Sequence, residues 1–432
     1  MTTRNTWMMY ILPASVLVEG LHIVIPLQIL ALGGSVLDVG IAIAFQYAGT
    51  AAGSIFWGKI IDLYHQKRLI LLTCFGSVSL LCVGMFWTSD LFIISIFSGL
   101  IGFFIIGKNP ITQIMVLETN TNNRWSSAFA LTSLINTAGS LIAFSVGSVW
   151  TIFFDLRPYF LFCILFSVAA FVSSLVIGKN TFMERQTIAE SIHGISFVLR
   201  HMRMHHHVSF PKLPHKSDIS HIFGSFSKNS KNPLGFLLLT GFFFYFGSNM
   251  FFTIFIPYLK SFSMSDSDVF VVFLIQSVAM LGFFYLVPKL SSKLGDEKLM
   301  NISFIPRIIG ISISLVILPM VFGIEALFIA ILSSIIMVLS FSMFSNTNSV
   351  ILAKSLPKGF EGRILGLNSF MIGIGIFFAS LTSGYVSTDF GYALNFVLAI
   401  LMIGVSFIFF NLFRASGKNH SVTQPHSLSA NL

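Results

Sequence analysis

Four ionisable side chains fall inside long apolar runs of this sequence: Glu19, His22, Lys108 and Arg307. At mid-bilayer an ionised group costs roughly 2.5–3.5 kcal/mol unless it is paired or hydrated, so such residues mark candidate functional sites. Glu19 and His22 are three residues apart and share one helix face. Lys108, Asn109, Thr112 and Gln113 form a second polar face, with Pro110 as the expected kink. Glu19 is twelve residues in from Trp7, or roughly 18 Å at the helical rise, and Lys108 is ten residues in from Glu118, or roughly 15 Å. The two opposite charges are therefore expected at similar depth. Desolvation and a nearby ammonium act in opposite directions on a carboxylate, so the arrival of water or solute can switch its protonation. That is a means of proton coupling. A fixed ion pair that fastens two helices is the competing reading. Arg307 follows Pro306 and is expected to snorkel to the interface.

Further polar candidates lie in both halves of the chain: Gln46, Asn136, Tyr245, Asn249, Gln276, Asn346, Asn348 and Asn368. Any one of them can serve as glue between helices. Together they give both halves a polar midplane, as a solute path would need.

The elements that must hold these residues follow from composition. The 432 residues are 55% hydrophobic and 9% charged, with a mean hydropathy of +0.87, outside the range of soluble globular domains. Twelve apolar runs long enough to cross a bilayer are expected, at 7–32, 39–58, 69–87, 91–117, 125–151, 159–178, 234–259, 269–288, 299–322, 326–353, 364–388 and 392–413. They are too uniformly apolar for the alternation of a membrane barrel, so the class is all-α. The first run exceeds a signal-peptide core and is expected to be retained. Cys74, Cys82 and Cys163 fall inside the runs and read as small buried hydrophobes.

If the runs alternate sides, the loops on the side of both termini hold 21 of the 25 Lys and Arg residues. The positive-inside rule then makes both termini cytoplasmic. The net charge of +9 is a topology signal facing anionic headgroups and calls for no nucleic-acid partner. The expected organisation is a six-helix bundle over 1–178, a basic insert at 179–233, a second bundle over 234–413 and a tail at 414–432. Within the insert, residues 187–204 have the spacing of an amphipathic surface helix. The run "HMRMHHH" there suggests metal binding, but adjacent histidines without a scaffold read better as a solvated linker, so no metal site is expected.

The halves repeat weakly. Pro26 and Pro257 are 231 residues apart, Gln46 and Gln276 as well as Lys59 and Lys289 are 230 apart, and Asn109 and Asn348 as well as Arg124 and Arg363 are 239 apart. Internal repeats of this kind are a mark of transporter architecture.

Charge is concentrated in "GKIIDLYHQKRLILL", where Gly58, Asp62, Lys67 and Arg68 resemble the signature loop of the major facilitator superfamily. The corresponding "PKLSSKLGDEKLM" keeps Lys293 but has Ser292 where the aspartate would stand, and "EGRILGLNSFMIGIGIFFASLTSGYVSTDFGYALNF" is similar to the family's eleventh helix. The resemblance covers 7–413. It implies two pseudo-symmetric six-helix bundles with helices 1 and 4 lining one central cavity, so that Glu19 and Lys108 can meet across it. It also implies a cytoplasmic gate of Gly58, Asp62, Lys67, Arg68, Glu118, Arg124, Lys293 and Arg363. Leu63 and His65 depart from the family's usual arginine and glycine. Helix 4 lacks an arginine near its outer start, and Ala143–Phe144 replaces the Gly-Pro of drug–proton antiporters.

The expected function is secondary transport of a small organic solute across the cell membrane by a monomer, driven by the proton gradient without a cofactor, with export as the favoured direction. A non-transporting receptor or scaffold and an uncoupled uptake facilitator are the alternatives. No HExxH, CxxC, nucleophile elbow or Walker loop is present, so an enzyme is not expected.

Overall fold

The computed structural model describes residues 3–64, 66–119, 125–177, 234–355 and 361–421, and contains no strand among them. A 3₁₀ turn, Thr3–Tyr10, leads into α1 (Ile11–Ala31). It is followed by α2 (Val36–Tyr64), α3 (Lys67–Trp87), α4 (Leu91–Ile105), α5 (Lys108–Thr119), α6 (Trp125–Phe153) and α7 (Tyr159–Ser174). The second half holds α8 (Leu234–Ser261), α9 (Asp266–Leu294), α10 (Asp296–Ser312), α11 (Ile324–Ser355) and α12 (Glu361–Ser421). Among the described residues, ten stretches are long and apolar enough to cross a membrane. Leu367–Ser416 counts once among them, although Gly391 at φ 86° breaks α12 into two arms, and Tyr159–Ser174 is shorter than the ten. The insert reading, the surface helix within it and Arg124 all lie outside the described residues.

Helix boundaries differ from the sequence expectation where charge misleads. The stretch from Gly58 to Tyr64 is helical and belongs to α2, since nothing in it breaks a helix. The tail from Arg414 to Ser421 likewise continues α12. The predicted fourth run is split at Ile106–Gly107, and Pro110 sits in the first turn of α5, where its missing N–H costs little. The Trp57 indole donates to the Phe103 carbonyl at 2.8 Å, which satisfies one acceptor left by the ending α4.

The repeat is clearer in the backbone than in the sequence. Gly33 and Ser263, 230 residues apart, both take left-handed φ, 81° and 59°. Each is followed by the same reciprocal cap. Ser35 Oγ accepts from the Asp38 amide while the Asp38 carboxylate accepts from the Ser35 amide, and Ser265 with Asp268 repeats the pattern.

Within the first half α1 packs on α6 and α7, α2 on α4, and α3 on α7. In the second, α8 packs on α12, α10 on α11 and α9 on α11. Lipid offers no hydrophobic drive between helices, so small residues that allow close approach decide where helices touch. A Cβ on Gly49 would fall 1.8 Å from the Gly99 carbonyl oxygen, and one on Gly102 would fall 2.1 Å from that of Gln46. These glycines let α2 and α4 meet backbone to backbone. Serines join α10 and the turn that follows it, Ile313–Ile317, to α11: Ser314 and Ser333 hydroxyls are 2.7 Å apart, and Ser340 donates to the Ser303 carbonyl at 2.7 Å.

The halves join through α2 with α12, α6 with α9, and α1 and α2 with α8. The close contacts gather at the end of the molecule away from the termini. There a Cβ on Gly40 would stand 2.8 Å from Gly384 Cα. Ser267 donates to the Ser148 carbonyl at 2.6 Å, and the Phe144 and Phe273 rings lie 6.1 Å apart.

Candidate substrate path

Helix α1 is the most enclosed of the spans, most of its residues being buried where few of α9's are, and it carries Glu19 and His22. Hydrogen bonds fasten it to the elements that carry the other polar residues. Just before α1, in the 3₁₀ turn that leads into it, Tyr10 and Thr112 hydroxyls meet at 2.7 Å and Trp7 donates to Thr119 at 3.2 Å, which ties the start of α1 to α5. Ser15 donates to Asn136 Oδ1 at 2.5 Å, which ties α1 to α6. One turn beyond Ser15, Glu19 is half-buried and His22 is exposed.

The helix break places Lys108 at the start of α5, half-buried, with Asn109 exposed beside it. Glu19 lies within electrostatic reach of both Lys108 and Tyr47. The ion pairs between described side chains are Lys260–Asp266, Lys354–Asp296 and Arg414–Glu297, so Glu19 and Lys108 do not form a direct bridge here. Glu19 and Lys108 thus interact electrostatically without a bridge. Tyr47 is a member that sequence reasoning missed, although it directly follows Gln46.

On the second half, Asn348 is buried and Tyr245, Asn249, Gln276, Asn346 and Asn368 are half-buried. Asn249 donates to the Tyr245 carbonyl at 2.9 Å, a bond within its own helix. Gln46 is buried against α4, where its carbonyl also accepts from Thr50 at 2.9 Å.

Arg307 does not snorkel. It is 1% exposed in the centre of the second bundle, where Nε donates to Ser248 Oγ and Nη1 to the Met337 carbonyl, each at 2.9 Å. Its guanidinium carbon is 5.2 Å from the centroids of both Phe244 and Phe252. Packing in the bundle prevails over the pull of the interface because a planar guanidinium finds two acceptors and two ring faces there.

Of the expected gate, Gly58 is half-buried, Lys67 and Arg68 are half-buried at the start of α3, and Lys293 is exposed at the end of α9. The side chains of Asp62, Glu118 and Arg363 lie outside the described residues, as does all of Arg124. In the second copy of the loop the acid is displaced. Asp296, four residues after Ser292, accepts from Lys354 at 2.6 Å and from Ser291, and Glu297 accepts from Arg414 at 3.2 Å. Together these contacts tie the loop between α9 and α10 to the ends of α11 and α12.

Two sets of packed apolar helices, repeated in sequence and in backbone, define a multi-pass membrane protein with the fold of a solute transporter. The chain belongs to the major facilitator superfamily, whose model matches residues 6–346 and 237–429. No curated protein matches its sequence. Among solved structures it is similar to the nucleoside transporter NupG at a TM-score of 0.72 and 14% identity, over 97% of this chain and 100% of that one. A POT family transporter in complex with a thioalcohol-conjugated peptide is similar at 0.69 and 14%, over 96% of each chain. A bacterial metal transporter is similar at 0.64 and 14%, over 96% of this chain and 99% of that one. At such identities the likeness is one of fold.

Proposed function

We propose that the chain is a monomeric secondary transporter that carries a small organic solute out of the cell by alternating access, coupled to protons, with twelve crossings and both termini in the cytoplasm. The observation that carries the coupling is Glu19, half-buried, near Lys108 and Tyr47 and without a salt bridge. An acid and a cation near each other without a salt bridge between them are free to find new partners when water or solute arrives, which is what a coupled cycle needs. Contacts gathered at the far end support reading this state as open toward the termini. The two arms of α12 and the short α7 supply the crossings beyond the simple helix count.

The test is flux in proteoliposomes over drugs, sugars, amino acids, nucleosides and organic anions, with and without a pH gradient in each direction. Glu19→Gln combined with Lys108→Gln leaves neither charge unpaired. The double variant is expected to insert and bind solute yet to lose gradient-driven accumulation. Accumulation at the native level would reduce the pair to a structural role, and uptake favoured over export would reverse the direction.

A further inference from the structure

The two halves of the path differ in kind: the first carries charge, and the second presents carboxamides. Gly241 on α8 is buried, and a Cβ added there would stand 3.6 Å from Asn368 Oδ1 and 4.0 Å from Asn348 Nδ2. One bare backbone position is therefore flanked by an asparagine from α11 and another from α12. These side chains make no hydrogen bond to each other or to another described residue. Asn348 is 6% exposed, and its Oδ1 is buried without a donor. Asn368 is half-buried, which leaves the slot accessible along its side.

A buried amide oxygen without a donor costs about 1–3 kcal/mol. Two such side chains beside a residue with no side chain are a poor way to glue helices, because each amide would gain by bonding its neighbour's backbone, as Asn395 does with the Met250 carbonyl at 2.8 Å. Each carboxamide presents an acceptor and two donors in one plane. The matching group is planar and neutral, with a donor next to an acceptor. An anionic or purely apolar group would leave the amide ends unpaired, and sites built to hydrogen-bond reject analogues that lack the partner groups.

We infer that Gly241, Asn348 and Asn368 form a specificity slot for a neutral amide edge of the solute, such as a carboxamide, an imide or the hydrogen-bonding edge of a nucleobase. The inference rests on the transport reading and names the class of solute it concerns. Asn348 is the repeat mate of Asn109, 239 residues earlier and next to Lys108.

Equilibrium binding of radiolabelled adenosine, uridine and nicotinamide to the purified full chain tests the slot, with glucose and benzoate as probes lacking the edge. At least one of the first three is expected to bind, with Asn348→Ala and Asn368→Ala each weakening it 10- to 100-fold. Gly241→Ala places its methyl at ordinary contact distance from both amides, so it is expected to fold as the native chain does and to weaken binding at least fivefold by narrowing the slot. Gly404→Ala, which meets nothing within 4 Å, serves as the unaffected control. Binding by none of the three, or binding indifferent to Gly241→Ala, overturns the slot. If glucose or benzoate is then transported, the transport reading stands without the slot; if no solute moves, both readings fall.

Discussion

Adding one methyl group at Gly40 should shift the balance between the two faces of the transporter. A Cβ at that position would lie 2.8 Å from Gly384 Cα, 2.8 Å from the Ser380 carbonyl oxygen and 3.2 Å from the Gly384 amide nitrogen. Favourable carbon–carbon contact lies at about 3.5–4.0 Å, so α2 and α12 must separate by about 1 Å. All three neighbours are backbone atoms, which cannot turn aside as a side chain would. Overpacking of this kind costs about 1–3 kcal/mol. It is felt only while the far end is shut, because the helices stand apart when that end opens. The ratio of far-end-closed to far-end-open molecules should fall about 5- to 150-fold in Gly40→Ala. Spin labels on Phe154→Cys and Glu325→Cys, both exposed at the far end, report the opening by pulsed electron resonance. The native Cys74, Cys82 and Cys163 are buried and will not take the label. A longer distance should grow at the expense of the shorter one. An unchanged distribution would mean that the glycine crossing does not govern closure.

Three further outcomes concern charges elsewhere in the molecule. Asp62→Asn should slow transport while insertion and yield stay native, since one charge near a helix end contributes about 1 kcal/mol or less; transport at the native rate would remove Asp62 from the expected gate. Arg307→Met should lower the melting temperature only slightly, at a cost of about 2 kcal/mol or less, because replacing a buried ion by an apolar isostere is often neutral. Arg307→Ala should cost about 3–5 kcal/mol by leaving a cavity. Equal melting temperatures for the two variants would contradict the packing seen around the guanidinium. A double-mutant cycle of Asp296→Asn with Lys354→Met should give a coupling of about 0.5–1 kcal/mol in thermal unfolding, falling with salt, since Lys354 is 69% exposed. A salt-independent coupling would argue against an exposed ion pair.

Much of the architecture could be read from the sequence because bilayer thickness sets a length that apolar runs must meet. The residue pairs 230 and 239 apart pointed to a repeat, and the shared left-handed turns and caps at Gly33 and Ser263 give it a structural basis. The misses have local causes. Pro110 looks like a kink, yet a proline fits the first turn of a helix, and the chain breaks earlier, at Gly107, where a side chain would collide with Cys74 Sγ at 2.7 Å. Arg307 looks like an interfacial charge because sequence carries no sign of Ser248 and the Met337 carbonyl, which lie 59 and 30 residues away. In the second loop copy, the position that aligns with the aspartate is Ser292, and the acid that meets Lys354 is Asp296, four residues on. Glu19 and Lys108 were found from cost alone, and Tyr47 was hidden because a tyrosine in an apolar run carries no such penalty.

The crossing of Gly40 and Gly384 has a bearing on how the solution around the protein is sensed. Contact at that end is made by bare backbone, phenyl rings and a serine-to-carbonyl bond, with no ion pair between the bundles there among the described residues. The opposite end carries the ion pairs of Asp296 with Lys354 and of Glu297 with Arg414. Screening lengths of about 8 Å at physiological salt weaken only contacts between charges. Ionic strength and anionic lipid should therefore retune the closing of one face and leave the other indifferent, so that the membrane's composition biases which way the carrier rests between turnovers.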